Sequence, residues 1–371
     1  MANTFVTLQT IARQALPRLV ENLVFPNLCY KDFSEAYQYL GDTIQVRKPT
    51  RLNAEDFSET SGVNYQDLGE STIPVTLDHI ATVDAQASAI ETAANISDLN
   101  RVFIEPAAVA LAEKINAAGL ELYKDVPYVS GAAGTTPDSL DAFAGARKVL
   151  NINKAPTAGR VGVWDAEADA KFATIPAIVN AEKSGSTQAL REGSIGRVFG
   201  INNYMAQGVK KHATGITGAS AVKVNGVVAA GATKLSIDGT KLEGKLVRGD
   251  VLVIAGQSYV VTADSAEAAS NAIANVAVYP ALPALADNTD VTLVGSHTAN
   301  LVFCPMAFAY VTRPLYNPNG QGVESYVTSY NGISLRVTKG YDQKYKRSMY
   351  SMDVLYGYKT LYPELAVRAM G

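Results

Sequence analysis

The stretch RGDVLVIAGQSYVVT, residues 248–262, reads as two short apolar strands, Val251–Ile254 and residues 259–262, parted at Gly256. Val, Ile and Tyr at this density suit a pleated, half-buried backbone, and glycine interrupts it. The same punctuation continues outward in both directions. Residues 222–224, 235–237, 276–278 and 291–293 are further runs of Val, Leu, Ile and Ala separated by Gly, Asp and Asn. Six candidate strands predict a small all-β module over residues 214–296, and that number favours a compact barrel. Turn-rich sequence bounds the module, Thr214-Gly-Ile-Thr-Gly218 before it and Gly295-Ser-His-Thr298 after it. It therefore reads as an insertion whose two ends lie close together.

The sequence around the module has a different period. A Gly/Thr/Pro linker at residues 131–137 leads to a helix over residues 139–150, a strand at Arg160–Trp164 and another helix after Asp165. These alternating elements predict an α/β subdomain that resumes at Leu301. Upstream, Ser97 or Asp98 can cap a helix, and Pro106 suits a first-turn position ahead of Val109, Leu111, Ala112, Ile115, Ala118 and Leu122. This is the longest helix the sequence predicts, and its many alanines let neighbouring backbone approach closely. Residues 7–24 place Leu8, Ile11, Ala15, Leu19 and Leu23 on one face, with Pro17 kinking the helix they predict.

Between these two helices the period drops to two. Ile44 and Val46, then Ile73, Val75 and Leu77, alternate with polar residues and predict a long two-stranded arm. Its base carries Arg47, Lys48 and Arg51; its tip carries Glu55, Asp56, Glu59, Asp67 and Glu70, with no Lys or Arg from residue 52 to 70. A projecting hairpin with segregated charge cannot bury itself, so Arg47, Lys48, Arg51, Glu55, Asp56 and Glu59 are candidate contact residues toward another subunit. Downstream, Tyr326, Tyr330, Tyr341, Tyr345, Tyr350, Tyr356, Tyr358 and Tyr362 crowd a stretch that reads as strands broken at Asn331-Gly332 and at Lys339-Gly340. Tyrosine combines an apolar face with a polar tip, which suits contacts across a seam.

Composition excludes several function classes. The 371 residues carry a net charge of −3, so no global basic field draws the chain to nucleic acid. No apolar run is long enough to span a bilayer, and no secretory signal opens the chain, which predicts a soluble protein made in a reducing cytoplasm. The two cysteines, Cys29 and Cys304, lie far apart. His79, His212 and His297 fall in three different segments, none at metal-ligand spacing from another. Gly239-Thr-Lys-Leu-Glu-Gly244-Lys245 resembles a phosphate loop, but Leu246 stands where Ser or Thr would coordinate Mg²⁺, and strands follow, so a β-turn is the better reading. Arg248-Gly249-Asp250 spells an adhesion tripeptide yet precedes an apolar strand as an ordinary turn does. Asp165, Glu167 and Asp169 sit where a helix N-terminus favours acids. No catalytic, cofactor or metal site is expected, and the lone Trp164 reads as core.

The order of elements, together with FIEPAAVALA (103–112), IGRVFG (195–200), AFAYVTRPL (307–315) and DVLYGYKTLYPEL (353–365), resembles the major capsid proteins of tailed bacteriophages with the Hong Kong 97-type fold. The inserted module is similar to that of the branch typified by the coat protein of the Salmonella short-tailed phage. The resemblance implies an α+β fold: an N-terminal arm at 1–41, an extended hairpin loop at 42–80, and a peripheral domain with a spine helix at 81–130. An axial domain at 131–213 and 297–325 would carry an inserted barrel at 214–296, and the chain would return to the peripheral domain at 326–371. It further implies self-assembly through pentamers and hexamers into an icosahedral head around double-stranded DNA, touched only weakly. The implied partners are a scaffolding protein, a portal protein and a decoration protein, with no membrane; the implied location is the virion, assembled in the host cytoplasm. A fused scaffold would show heptads or charge runs within Met1 to Gly41, and none stands there, so the expectation is a separate one. A cellular nanocompartment shell of the same fold is the alternative.

Overall fold

The structure is a computed structural model that describes residues 8–31, 43–48, 71–88, 104–180, 191–320, 322–330 and 333–371. It divides into two compact units. The first comprises 1–17, 31–107 and 309–361, and the second 18–30, 108–308 and 362–371, with dividing points inside the helices Leu8–Asn22 and Glu105–Leu120. The packing thus changes at 308/309 and 361/362. Pro17 stands inside the first helix, and Glu105 and Pro106 open the second, as a first-turn proline can.

The first unit is built on antiparallel strands. Thr43–Lys48 pairs with Ser71–Thr76, with Thr43 opposite Thr76 and Lys48 opposite Ser71, which is the two-stranded arm the alternation predicts. A larger sheet is organised by the long strand Arg347–Thr360, flanked by His79–Ser88 on one side and Ile333–Asp342 on the other, with Val323–Tyr330 outermost. The chain does not break at Lys339-Gly340. Gly340 lies within a continuous strand, opposite Val323 and Met349, and the reversal falls later, at residues 343–346, where Lys346 takes a positive φ of 51°. The predicted break at Asn331-Gly332 lies outside the described residues. At Gly357 the arm comes so close that a Cβ would stand 2.3 Å from the Thr76 carbonyl oxygen, so no side chain fits there. Arg336 and Asp353 form a partly buried ion pair between neighbouring strands.

The second unit holds two sheets. Its central sheet runs Val129–Ser130, Ala366–Met370, His297–Phe303, Arg160–Trp164, Ile201–Met205, Arg197–Val198, and is mixed: Arg160–Trp164 is antiparallel to His297–Phe303 and parallel to Ile201–Met205. Every residue of Arg160–Trp164 and of Ala366–Met370 is buried, as expected of strands covered on both faces. The helix Asp141–Ile152 buries Phe143, Ala146 and Leu150, one stripe at helical spacing. Phe143, Trp164 and Phe172 form an aromatic cluster with centroids 4.4 to 5.1 Å apart, and the Trp164 indole N–H donates to Asn203 Oδ1 at 2.9 Å. Asp165 caps the helix Ala166–Phe172 by accepting from the Glu167 N–H, the role its position implied.

The other sheet of this unit lies wholly within residues 220–293. Its strands are ordered Val291–Leu293, Val251–Ile254, Gln257–Val261, Ala272–Tyr279, Lys234–Thr240, Ser220–Val224. The two ends of that order meet, because the Val224 N–H donates to the Thr289 carbonyl and the Asn288 N–H to the Val224 carbonyl, each at 2.9 Å. Ile237, Leu252, Tyr259, Val261, Ile273 and Val276 fill the interior. Ala255 and Gly256, with φ of 50° and 78°, form the two-residue turn between the strands of the opening sequence; both residues need the left-handed region there.

Candidate functional site

The candidate contact residues receive little from the structure. Arg47 and Lys48 lie at the end of the Thr43–Lys48 strand, opposite Thr72 and Ser71, while Arg51, Glu55, Asp56 and Glu59 lie outside the described residues. Among the described residues no group of His, Cys, Asp and Glu could hold a metal ion, and no helix is long and apolar enough to cross a membrane. Cys29 and Cys304 are both buried thiols, and the Cys304 S–H donates to the Pro156 carbonyl.

What the fold does assemble is a buried polar cluster in the second unit, where the six-stranded module joins the central sheet. His212 and His297 bracket the module in sequence and are direct partners in a short antiparallel pairing, with ring centroids 5.4 Å apart. The Thr214 N–H donates to Ser296 Oγ just beside them. Asp250 enters from the module: its Oδ1 lies 2.8 Å from His212 Nε2, and its Oδ2 accepts from the Val247 N–H at 2.8 Å. The Tyr123 hydroxyl, from the turn Glu121–Asp125, lies 3.0 Å from His212 Nδ1.

Arg368 crosses this cluster and is fully buried. Its guanidinium donates to the carbonyls of Gly249 at 2.8 Å, Val126 at 3.1 Å and Tyr123, and stands over the Tyr123 ring. One arginine from the last strand therefore ties the module's turn to the segment after the Glu105–Leu120 helix. Burial pulls its pKa down to about 10. Burial also raises the Tyr123 hydroxyl, against the pull of Arg368.

The adhesion-like tripeptide is consumed here. Arg248 pairs with Asp125 at 2.6 Å, the Gly249 carbonyl accepts from Arg368, and Asp250 is 2% exposed. The turn reading holds for the backbone, where the Asp250 N–H returns to the Val247 carbonyl, but an Asp250 this deep cannot present itself to a receptor. The phosphate-loop resemblance also dissolves, since Gly239 and Thr240 end the strand Lys234–Thr240 and no helix follows. Sequence reading treated the histidines as unrelated. The signal that could have joined two of them was the insertion itself: if its ends meet, the residues flanking them meet too.

No protein-family model matches this chain, and no curated protein matches its sequence. Solved structures do. The chain is similar to a structure from Mycobacterium phage Che8, at 16% identity over 94% of this chain and 90% of that one, with a TM-score of 0.53. It is also similar to the capsid of an empty GTA particle, at 10% identity over 94% of this chain and 90% of that one, with a TM-score of 0.50. The chain has a fold found in capsid subunits.

Proposed function

We propose that this chain is the major capsid protein of a tailed bacteriophage, a structural subunit without catalytic activity that assembles through pentamers and hexamers into an icosahedral head around double-stranded DNA. The observation that carries the reading is the end-to-end likeness to a capsid subunit, over about nine-tenths of both chains. The arrangement of arm, long helix, central sheet and six-stranded module supports a Hong Kong 97-type subunit. The self-closing sheet within residues 214–296 supports an inserted barrel like that of the Salmonella short-tailed phage branch. A separate scaffolding protein, a portal and a decoration protein are the partners such a shell takes, with assembly in the host cytoplasm. With a net charge of −3, contact with the genome is weak and local.

Electron microscopy of the purified chain tests this directly: closed shells or capsomer rings are expected, and a monodisperse monomer across salt and protein concentration overturns the reading. The arm supplies a sharper test. Glu55, Asp56 and Glu59 are proposed to meet basic side chains of a neighbouring copy, with Arg47, Lys48 and Arg51 forming the arm's own basic base. Exposed pairs of this kind are worth about 0.2–1 kcal/mol each and set register more than stability. Changing all three acids to lysine is expected to lower shell yield in an assembly assay while leaving thermal unfolding of the subunit unchanged. Loss of folding instead contradicts an intersubunit role.

A further inference from the structure

His297 and Arg368 face each other at a distance that suits a neutral imidazole. His297 is 1% exposed, and its Nδ1 lies 2.8 Å from the Gly295 carbonyl oxygen. A carbonyl can only accept, so the ring proton sits on Nδ1 and the lone pair on Nε2. That lone pair faces Arg368 Nη1 at 3.4 Å, a donor whose other partners are neutral carbonyls. The nearby carboxylates are each already engaged, Asp250 by His212 and Asp125 by Arg248, and Asp250 offsets only part of what burial and Arg368 impose on His297.

We propose that the His297–Arg368 pair is a proton-operated latch on the six-stranded module: the neutral imidazole accepts from the guanidinium and holds the seam closed, and proton uptake at Nε2 sets two buried cations against each other and opens it. The charged and titratable groups that act on His297 are Arg368 from the last strand, His212 from its pairing partner and Asp250 from the module's turn, while Tyr123 and Asp125 of the Glu121–Asp125 turn act on Arg368.

Burial comes first in holding the His297 pKa down to about 4; Arg368 and His212 add to it, and the Gly295 carbonyl and Asp250 oppose it. In an opened seam the ring returns toward about 6.5. The open form therefore binds more protons between these values, so closure is fully favoured above about pH 6.5 and weakens as pH falls toward 4. The inference does not depend on the shell reading. It concerns how the module is held, whatever the chain builds.

Hydrogen–deuterium exchange of the full-length chain, each sample normalised to an unstructured peptide at the same pH, reads the latch directly. Peptides covering residues 211–215, 247–250 and 295–299 are expected to lose protection by at least about tenfold between about pH 7 and about pH 4.5, since one proton changes an opening constant by up to tenfold per pH unit. The peptide over Arg160–Trp164, whose strand contains no histidine, is expected to hold across that range. In His297→Gln the side-chain carbonyl still accepts from Arg368 but takes up no proton, and the acid-induced loss is expected to vanish. An equal loss in His297→Gln assigns the effect to Asp250 or to general acid unfolding and overturns the proposal. Should that variant fail to fold, the wild-type comparison decides: seam and Arg160–Trp164 peptides opening together, or neither opening, overturns it as well.

Discussion

Replacing Arg368 with methionine is expected to lower the stability of the protein by about 3–5 kcal/mol, because the buried carbonyls of Gly249, Tyr123 and Val126 lose their donor together. Each orphaned buried acceptor costs about 1–3 kcal/mol, and neighbouring costs overlap and do not simply add. Two effects compete. Methionine is easier to bury than a guanidinium, and replacing a whole buried charged group with apolar volume can be neutral when its partners go too. Here the partners are backbone and remain, so the loss outweighs the relief. Equilibrium denaturation in urea, followed by circular dichroism, checks the figure; a change under about 1 kcal/mol would mean that water reaches the cluster and takes over Arg368's bonds. The damage should also be local first, with exchange protection falling at residues 247–250 before it falls elsewhere in the second unit.

A comparable loss is expected from Trp164→Ala, for a different reason. Trp164 is fully buried between Phe143 and Phe172, edge-on to both, and its N–H is taken by Asn203. Truncation removes the transfer free energy of a large ring and leaves a cavity that flanking rings on separate helices cannot easily close; such changes cost about 3–5 kcal/mol. Trp164→Phe separates the contributions, keeping most of the packing while leaving Asn203 Oδ1 without the indole donor, and should cost about 1–2 kcal/mol. Thermal unfolding by circular dichroism suits both variants, since Trp164 is the sole tryptophan and its fluorescence disappears with it. An alanine variant as stable as the wild type would contradict a close-packed aromatic core in the central sheet.

Local rules made much of the fold legible. Asp165 announces a helix because an acid followed by helix formers satisfies free N–H groups, and the structure uses it so. Val251–Ile254 and its neighbours announce strands because β-branched residues between turn formers have few other options. Gly340 misled for the same local reason: glycine reads as a break, yet its strand is held on both sides by Val323 and Met349, and pairing overrides propensity. The polar cluster was illegible because the bonds that assemble it, from Arg368 to residues 123, 126 and 249 and from His212 to Tyr123 and Asp250, join residues far apart in sequence. An arginine amid AVRAM looks like the solvent-facing member of an alternation, and only the strand Val129–Ser130 on one side and His297–Phe303 on the other turn its surroundings into interior. The contact candidates on the arm rest on charge pattern alone, which says where partners are needed but not which side chains supply them.

In the proposed shell, the closure of the six-stranded sheet would keep neighbouring copies from pairing backbone to backbone. A sheet with a free rim offers unpaired N–H and C=O groups to any extended chain nearby, and crowded copies of such a sheet tend to stitch together at random. By bonding Val224 to Thr289 and Asn288, this sheet closes part of its own rim. A module whose rim is closed in this way offers its side chains, more than its backbone, to whatever lies beside it.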